Sequence, residues 1–281
     1  MNTIQSVLEA AIELLAPQSD SARLDAEVLL AHVLARPRAH LYAWSERALS
    51  GAELARYRTL VQRRAAGEPV AYLIGRREFW SLDLEVDASA IIPRAETERL
   101  VEIALDAIPP HAPRTIADLG TGTGAVALAI ARERPDCRVT ATDMSLRALT
   151  LARRNACAVG VRNVHWVCGD WCGALANERF HLVLSNPPYV RAGDPHLVQG
   201  DVRFEPRMAL LGGSDGLDAI RRIAHEARAR LVPGGGLALE HGPDQGAAVR
   251  SLLQALGYAE VRTHRDLAGR ERVTEAVVLS G

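Results

Sequence analysis

An α/β fold, with a mainly parallel sheet preceded by a small all-helical domain, is predicted by three observations. The first 75 residues carry helical periodicity and no strand-like alternation. From about residue 99 onward, strand and helix signals alternate, with seven candidate strands. The first of those strands runs directly into a glycine-rich turn and then an apolar helix.

In the first segment Ile4, Val7, Leu8, Ala11, Leu14 and Leu15 repeat at spacings of 3, 4 and 7, which places them on one helix face. Ser21 precedes a second apolar run over 24–34, and a third helix starts after Ser50, carries Leu54, Tyr57, Leu60 and Val61, and is stopped by Gly67 and Pro69. Eight Arg balance eight Asp and Glu there, so this domain (1–75) is expected to serve contact rather than chemistry. The pattern then becomes β-like in Phe79-Trp80-Ser81-Leu82 and Leu84-Glu85-Val86, with Asp83 between them, and residues 76–98 read as a β-hairpin linker. A helix over 97–108 and a break at Pro109, Pro110 and Pro113 lead into a domain over 99–281. Its strands are expected at 115–119, 138–142, 164–168, 181–185, 236–240, 259–263 and 272–279, the last two forming an antiparallel hairpin at one edge.

Composition narrows the function classes. The chain has 281 residues, 33 basic against 34 acidic side chains, a net charge of −1 and 48% hydrophobic residues. No apolar run reaches 18 residues, which argues against a membrane span. Residues 1–15 carry Glu9 and Glu13 and no basic cluster, so they do not read as a signal peptide, and the expected compartment is the cytosol. All 33 basic residues are Arg, which excludes a Schiff-base lysine and a P-loop lysine. Near-neutral charge argues against a protein that lives on nucleic-acid phosphates. Cys137, Cys157, Cys168 and Cys172 are too few for a disulfide scaffold. Cys168 and Cys172 lack a second pair to complete a tetrahedral metal set, so no metal is expected and the thiols are expected to be buried and free.

The chemistry gathers at strand ends. After the strand at 115–119 come Gly120, Thr121, Gly122, Thr123 and Gly124, where glycines let the backbone turn sharply and approach a ligand closely. Asp143 ends the second strand, where a carboxylate can accept both hydroxyls of a ribose. These features suit NAD and S-adenosylmethionine equally. Asp118, just before the loop, sits where an acid lies near the amino-acid end of a methyl donor in nucleoside methyltransferases. Asp170 and Trp171 close the third strand, and a carboxylate beside an aromatic ring can hold an adenine. Asn186-Pro187-Pro188-Tyr189 follows the fourth strand. Its prolines stiffen the turn and leave carbonyls free to accept, Asn186 adds an amide acceptor, and Tyr189 adds a flat face. Such a site suits a planar NH2 group.

The order of glycine loop, acidic strand end, Asp-Trp and Asn-Pro-Pro-Tyr resembles the S-adenosylmethionine-dependent amino-methyltransferases. Glu78-Phe79-Trp80, Ile92-Pro93-Arg94-Ala95-Glu96-Thr97-Glu98, Phe204-Glu205-Pro206, Gly213-Ser214-Asp215-Gly216-Leu217 and Leu239-Glu240-His241-Gly242 narrow the resemblance to the HemK/PrmC family. That resemblance implies a seven-stranded Rossmann-like fold and methylation of the glutamine N5 in the Gly-Gly-Gln loop of class I peptide chain release factors. It implies S-adenosyl-L-methionine as cofactor, with Gly120–Gly124 around the methionine part, Asp143 at the ribose, and Asp170 and Trp171 at the adenine. Asn186 and Pro187 would hold the glutamine amide, beside Pro188, with Tyr189 stacked on it. Phe79, Pro93 and Arg94 would form the other wall of the substrate pocket. Ala95 stands where the family usually has a second proline, so a slightly looser loop is expected there. His241 is expected to be structural. The competing readings are a DNA or RNA base amino-methyltransferase, a nicotinamide dehydrogenase on the same loop, and a binding module without activity.

Overall fold

The computed structural model describes residues 2–175 and 177–279. The chain forms two compact units: residues up to Arg76 together with Gln199–Phe204, and Arg77–Val198 together with the chain from Glu205 onward.

The first unit is built from α1 (Ile4–Leu15), α2 (Ala22–Leu34), α3 (Arg38–Ala43), α4 (Gly51–Ala65) and α5 (Val70–Ile74). Ile4, Leu15, Leu29, Leu30, Leu41 and Tyr57 fill its core. Ser50 makes the capping box that starts α4, its hydroxyl accepting from the Glu53 N–H while the Glu53 carboxylate accepts from the Ser50 N–H. Short helices α3 and α5 each begin after a proline, Pro37 and Pro69, and are too brief for periodicity to reveal. The excursion Gln199–Phe204 is held inside this unit by Arg64, which donates from Nε to Asp25 and from Nη1 to Asp201, each over 2.7 Å. Burial raises the energy of an unpaired guanidinium, and two carboxylates offset it.

The second unit opens with a hairpin, β1 (Arg76–Phe79) and β2 (Leu82–Glu85). Its turn is Trp80–Ser81, with φ of 50° and 55°, and not the Asp83 region that the sequence suggests. Two successive left-handed residues define a tight primed turn, usually signalled by Asn-Gly, and Trp-Ser gives no such signal.

Next come α6 (Glu98–Ala107), β3 (Thr115–Leu119), α7 (Ala125–Glu133), β4 (Arg138–Asp143), α8 (Leu146–Val159), β5 (Val164–Cys168) and β6 (Phe180–Ser185). They are followed by α9 (Asp218–Arg228), β7 (Leu231–Glu240), α10 (Gly246–Ala255), β8 (Ala259–Arg265) and β9 (Glu271–Val277). The sheet order is β5-β4-β3-β6-β7-β9-β8, parallel from β5 through β7, with β9 antiparallel to both β7 and β8. The expected edge hairpin is therefore present.

Alternation along the strands explains the layers. Ile116, Leu182 and Leu184 pack with α6 and α7 on one face, while Ala117, Val183 and Leu237 pack with α9 and α10 on the other. Cys137 and Cys172 are buried as expected, but Cys157 and Cys168 are exposed. Cys168 ends β5, an edge strand with no outer neighbour among the described residues, which corrects the expectation of a buried thiol there. Among the described residues no helix is long and apolar enough to cross a membrane.

Candidate active site

Strand order reverses at β3, since β3 leads to β4 on one side and β6 lies on the other. Ligands in open parallel sheets bind at such a point, outside the carboxyl ends of the strands. A cavity of about 420 Å³ opens there, and it brings together Gly120, Gly122, Asp143, Asp170, Trp171, Asn186 and Pro188.

Gly120 takes φ of 72°, and a Cβ there would sit 2.9 Å from the Trp171 ring, so glycine is required both by backbone conformation and by close approach. Asp143 accepts from the N–H groups of Gly122 at 3.0 Å and Ser145 at 2.8 Å, one on each oxygen. Burial raises its pKa against those two bonds. Each oxygen keeps a second lone pair, enough for two ligand hydroxyls. Asp170 lines the cavity while its Oδ2 pairs with Arg222 over 2.6 Å.

Other sequence-derived candidates lie behind the cavity wall. Asp118 is buried beneath the glycine loop, accepting from the Thr121 hydroxyl at 2.6 Å and the Ala127 N–H, and Thr123 is buried as well. Gly124 starts α7 and packs toward Ala152 and Trp166. Phe79 is a core residue, with 1% of its surface exposed. Arg94, after Pro93, donates to the buried Glu205 carboxylate over 2.6 Å, which ties the Ile92-Pro93-Arg94 segment to Phe204-Glu205-Pro206. Pro187 does not line the cavity, and Tyr189 points away from it, its hydroxyl donating to Glu240 at 3.2 Å. His241 is fully buried between the Gly242 carbonyl and the Thr274 hydroxyl, each at 2.8 Å, and burial lowers its pKa.

Burial pushes Asp118 up to about 6 from its ordinary 3.8, against the Thr121 and Ala127 hydrogen bonds. A raised carboxyl pKa favours the protonated fold, so this contribution to stability is greatest at low pH and falls as pH climbs from about 4 to 6. The rise from 3.8 to about 6 corresponds to about 3 kcal/mol. Asp118→Asn, which stays neutral, is expected to gain about that much relative to the wild type between pH 4 and 7 in urea unfolding. A difference that does not change with pH would show that Asp118 ionises freely.

Sequence reasoning quoted Glu240, Thr97 and Pro206 within family segments without giving them a role, and passed over the cavity-lining residues at Ser89–Ile91 and Arg207–Ala209. Glu240 had a signal, a carboxylate at the carboxyl end of an apolar strand. It is buried and pushed up to about 7, with Oε2 having no hydrogen-bond partner among the described residues.

Glycine loop, ribose-type carboxylate and Asn-Pro-Pro-Tyr turn on this sheet define a Rossmann-like methyltransferase. Residues 6–75 match the PrmC N-terminal domain and residues 95–200 the methyltransferase small domain. The release factor glutamine methyltransferase of Xylella fastidiosa is 55% identical over 90% of this chain and 92% of its own. That of Vibrio cholerae is 50% identical over 97% and 96% respectively. A solved methyltransferase from Pyrococcus furiosus shares the fold, with a TM-score of 0.53 at 21% identity over 79% of this chain and 98% of that one. The chain belongs to the release factor glutamine methyltransferase family.

Proposed function

We propose that this protein binds S-adenosyl-L-methionine in the cavity and methylates the side-chain amide nitrogen of the glutamine in the Gly-Gly-Gln loop of class I peptide chain release factors. The donor supplies an electrophilic methyl on a sulfonium. Gly120 and Gly122 present backbone without Cβ atoms to the cavity, and Asp143 presents free lone pairs for ribose hydroxyls. In this reading Gly120 and Gly122 shape the methionine end, and Trp171 with Asp170 flanks the adenine. The protein works in the cytoplasm, on a protein substrate rather than on nucleic acid.

One observation carries the substrate reading: Asn186 lines the cavity while its Nδ2 is held by Thr97 Oγ1 at 3.1 Å. The amide oxygen is thereby left to accept from a planar NH2. An amide nitrogen is a poor nucleophile because its lone pair is delocalised into the carbonyl. Acceptors aimed at its hydrogens align it with the methyl and stabilise the positive charge that develops on nitrogen during transfer. Asn186, which lines the cavity, serves as such an acceptor, with Pro188 stiffening the turn.

The test is transfer of labelled methyl to a purified class I release factor, beside its Gln-to-Ala variant and duplex DNA. Label on the wild-type factor alone is expected. Label on DNA, or on neither protein, would overturn the substrate reading and leave the donor site standing.

A further inference from the structure

A primary amide has a donor end and an acceptor end, and a half-turn of its terminal torsion exchanges them. The turn at Asn186 does not by itself decide which end faces the cavity. The decision lies behind it. Asn186 Nδ2 meets Thr97 Oγ1 at 3.1 Å, and the Thr97 hydroxyl in turn hydrogen-bonds the carboxylate of Glu240 at the carboxyl end of β7. The same carboxylate accepts from the Tyr189 phenol at 3.2 Å. Thr97 is 5% exposed and Glu240 1%, so water does not replace these bonds.

Thr97 has one hydroxyl proton. Burial pushes Glu240 up to about 7, so above that pH its carboxylate is ionised and only accepts; the Thr97 proton then points at Glu240 and a Thr97 lone pair points at Asn186. Asn186 must then turn its nitrogen to Thr97 and its oxygen to the cavity. With the nitrogen outward, two donors would face each other at the substrate amide.

We propose that Thr97 and Glu240 are positioning residues that fix the amide orientation of Asn186, and that Glu240 also anchors the far end of the turn through Tyr189. This inference rests on the reading of Asn186 as an acceptor for the substrate amide. Thr97→Val keeps the shape of the side chain and removes the hydroxyl. Glu240→Gln offers Thr97 an N–H, which allows the hydroxyl to reverse and the Asn186 amide to flip.

The experiment measures kcat, KM for a purified release factor, and donor affinity for Thr97→Val, Thr97→Ser, Glu240→Gln, Asn186→Ala and the Thr97→Val/Asn186→Ala double variant. Thr97→Val and Glu240→Gln are expected to lower kcat about 10- to 100-fold, with donor affinity held within about twofold. Thr97→Ser should recover what Thr97→Val loses. In the Asn186→Ala background, Thr97→Val should have no further effect, because its action passes through an amide that is gone.

Additive losses in the double variant, or donor affinity that falls in step with kcat, would mark Thr97 as merely structural and overturn the proposal. Full turnover in Thr97→Val would do the same, while a large loss in Asn186→Ala alone would leave the functional reading intact. Full turnover in Asn186→Ala would overturn both.

Discussion

Asn186→Ala is expected to lower kcat about 100- to 1,000-fold while changing donor affinity little, the scale seen when one preorganised hydrogen-bonding group is removed from a transition state. The asymmetry follows from position. In the proposed reading Gly120, Gly122 and Asp143 remain in place to bind the donor, whereas the truncated side chain loses the amide oxygen that would accept from the substrate nitrogen. Charge on that nitrogen grows as the methyl moves, so the lost interaction is stronger in the transition state than in the bound substrate. Single-turnover rates with saturating donor, alongside donor titration by calorimetry, would separate the two effects. Donor binding that collapsed with turnover would instead assign Asn186 to the donor site.

Gly216→Ala is expected to be the most damaging change outside the cavity, with a stability loss of about 2–4 kcal/mol from left-handed strain and overpacking combined. Gly216 sits at φ of 78°, and a Cβ there would overlap the Tyr189 carbonyl oxygen and lie 2.5 Å from Gln245 Nε2. That carbonyl accepts from Gln245 at 3.1 Å, so the backbone clamp on the Asn-Pro-Pro-Tyr turn must shift. Turnover should fall along with the melting temperature. Gly160→Ala is the control, because Gly160 has φ of 73° and nothing within 4 Å of a new Cβ. It should show the strain alone, about 1 kcal/mol, with turnover unchanged. Equal effects in the two variants would mean that the Tyr189 contact yields easily.

Much of the fold is legible in the sequence because its signals are local. The strand-glycine-helix run from Thr115 to Glu133 is written in consecutive residues, and the alternation of strand and helix signals located the members of the large sheet. Features that depend on distant partners were not legible. Trp80–Ser81 turns the hairpin without turn residues, and Phe79 reads as a pocket wall until Leu82, Leu100 and the rest of the core enclose it. The glycine loop, Asp143 and Asn186 were found because their residue types stand at strand ends, where chemistry is expected. Glu240 stands at such an end too, but its partners Thr97 and Tyr189 lie 143 and 51 residues away along the chain.

The excursion at Gln199–Phe204 bears on how the protein is made. Synthesis delivers α1 to α5 early, yet Arg64 gains its second carboxylate only when Asp201 leaves the ribosome. At a translation rate of about 5–20 residues per second, the wait is on the order of ten seconds. Through that interval the nascent helices hold the guanidinium with Asp25 as its carboxylate, beside the Glu68 carbonyl and the Ser19 hydroxyl, and keep a seam for six residues that have yet to arrive. Cut at residue 76, the helical segment would leave without the six residues that complete its unit and the second carboxylate of Arg64. A chimera that borrows it must also carry Gln199–Phe204, inserted where the host chain can return.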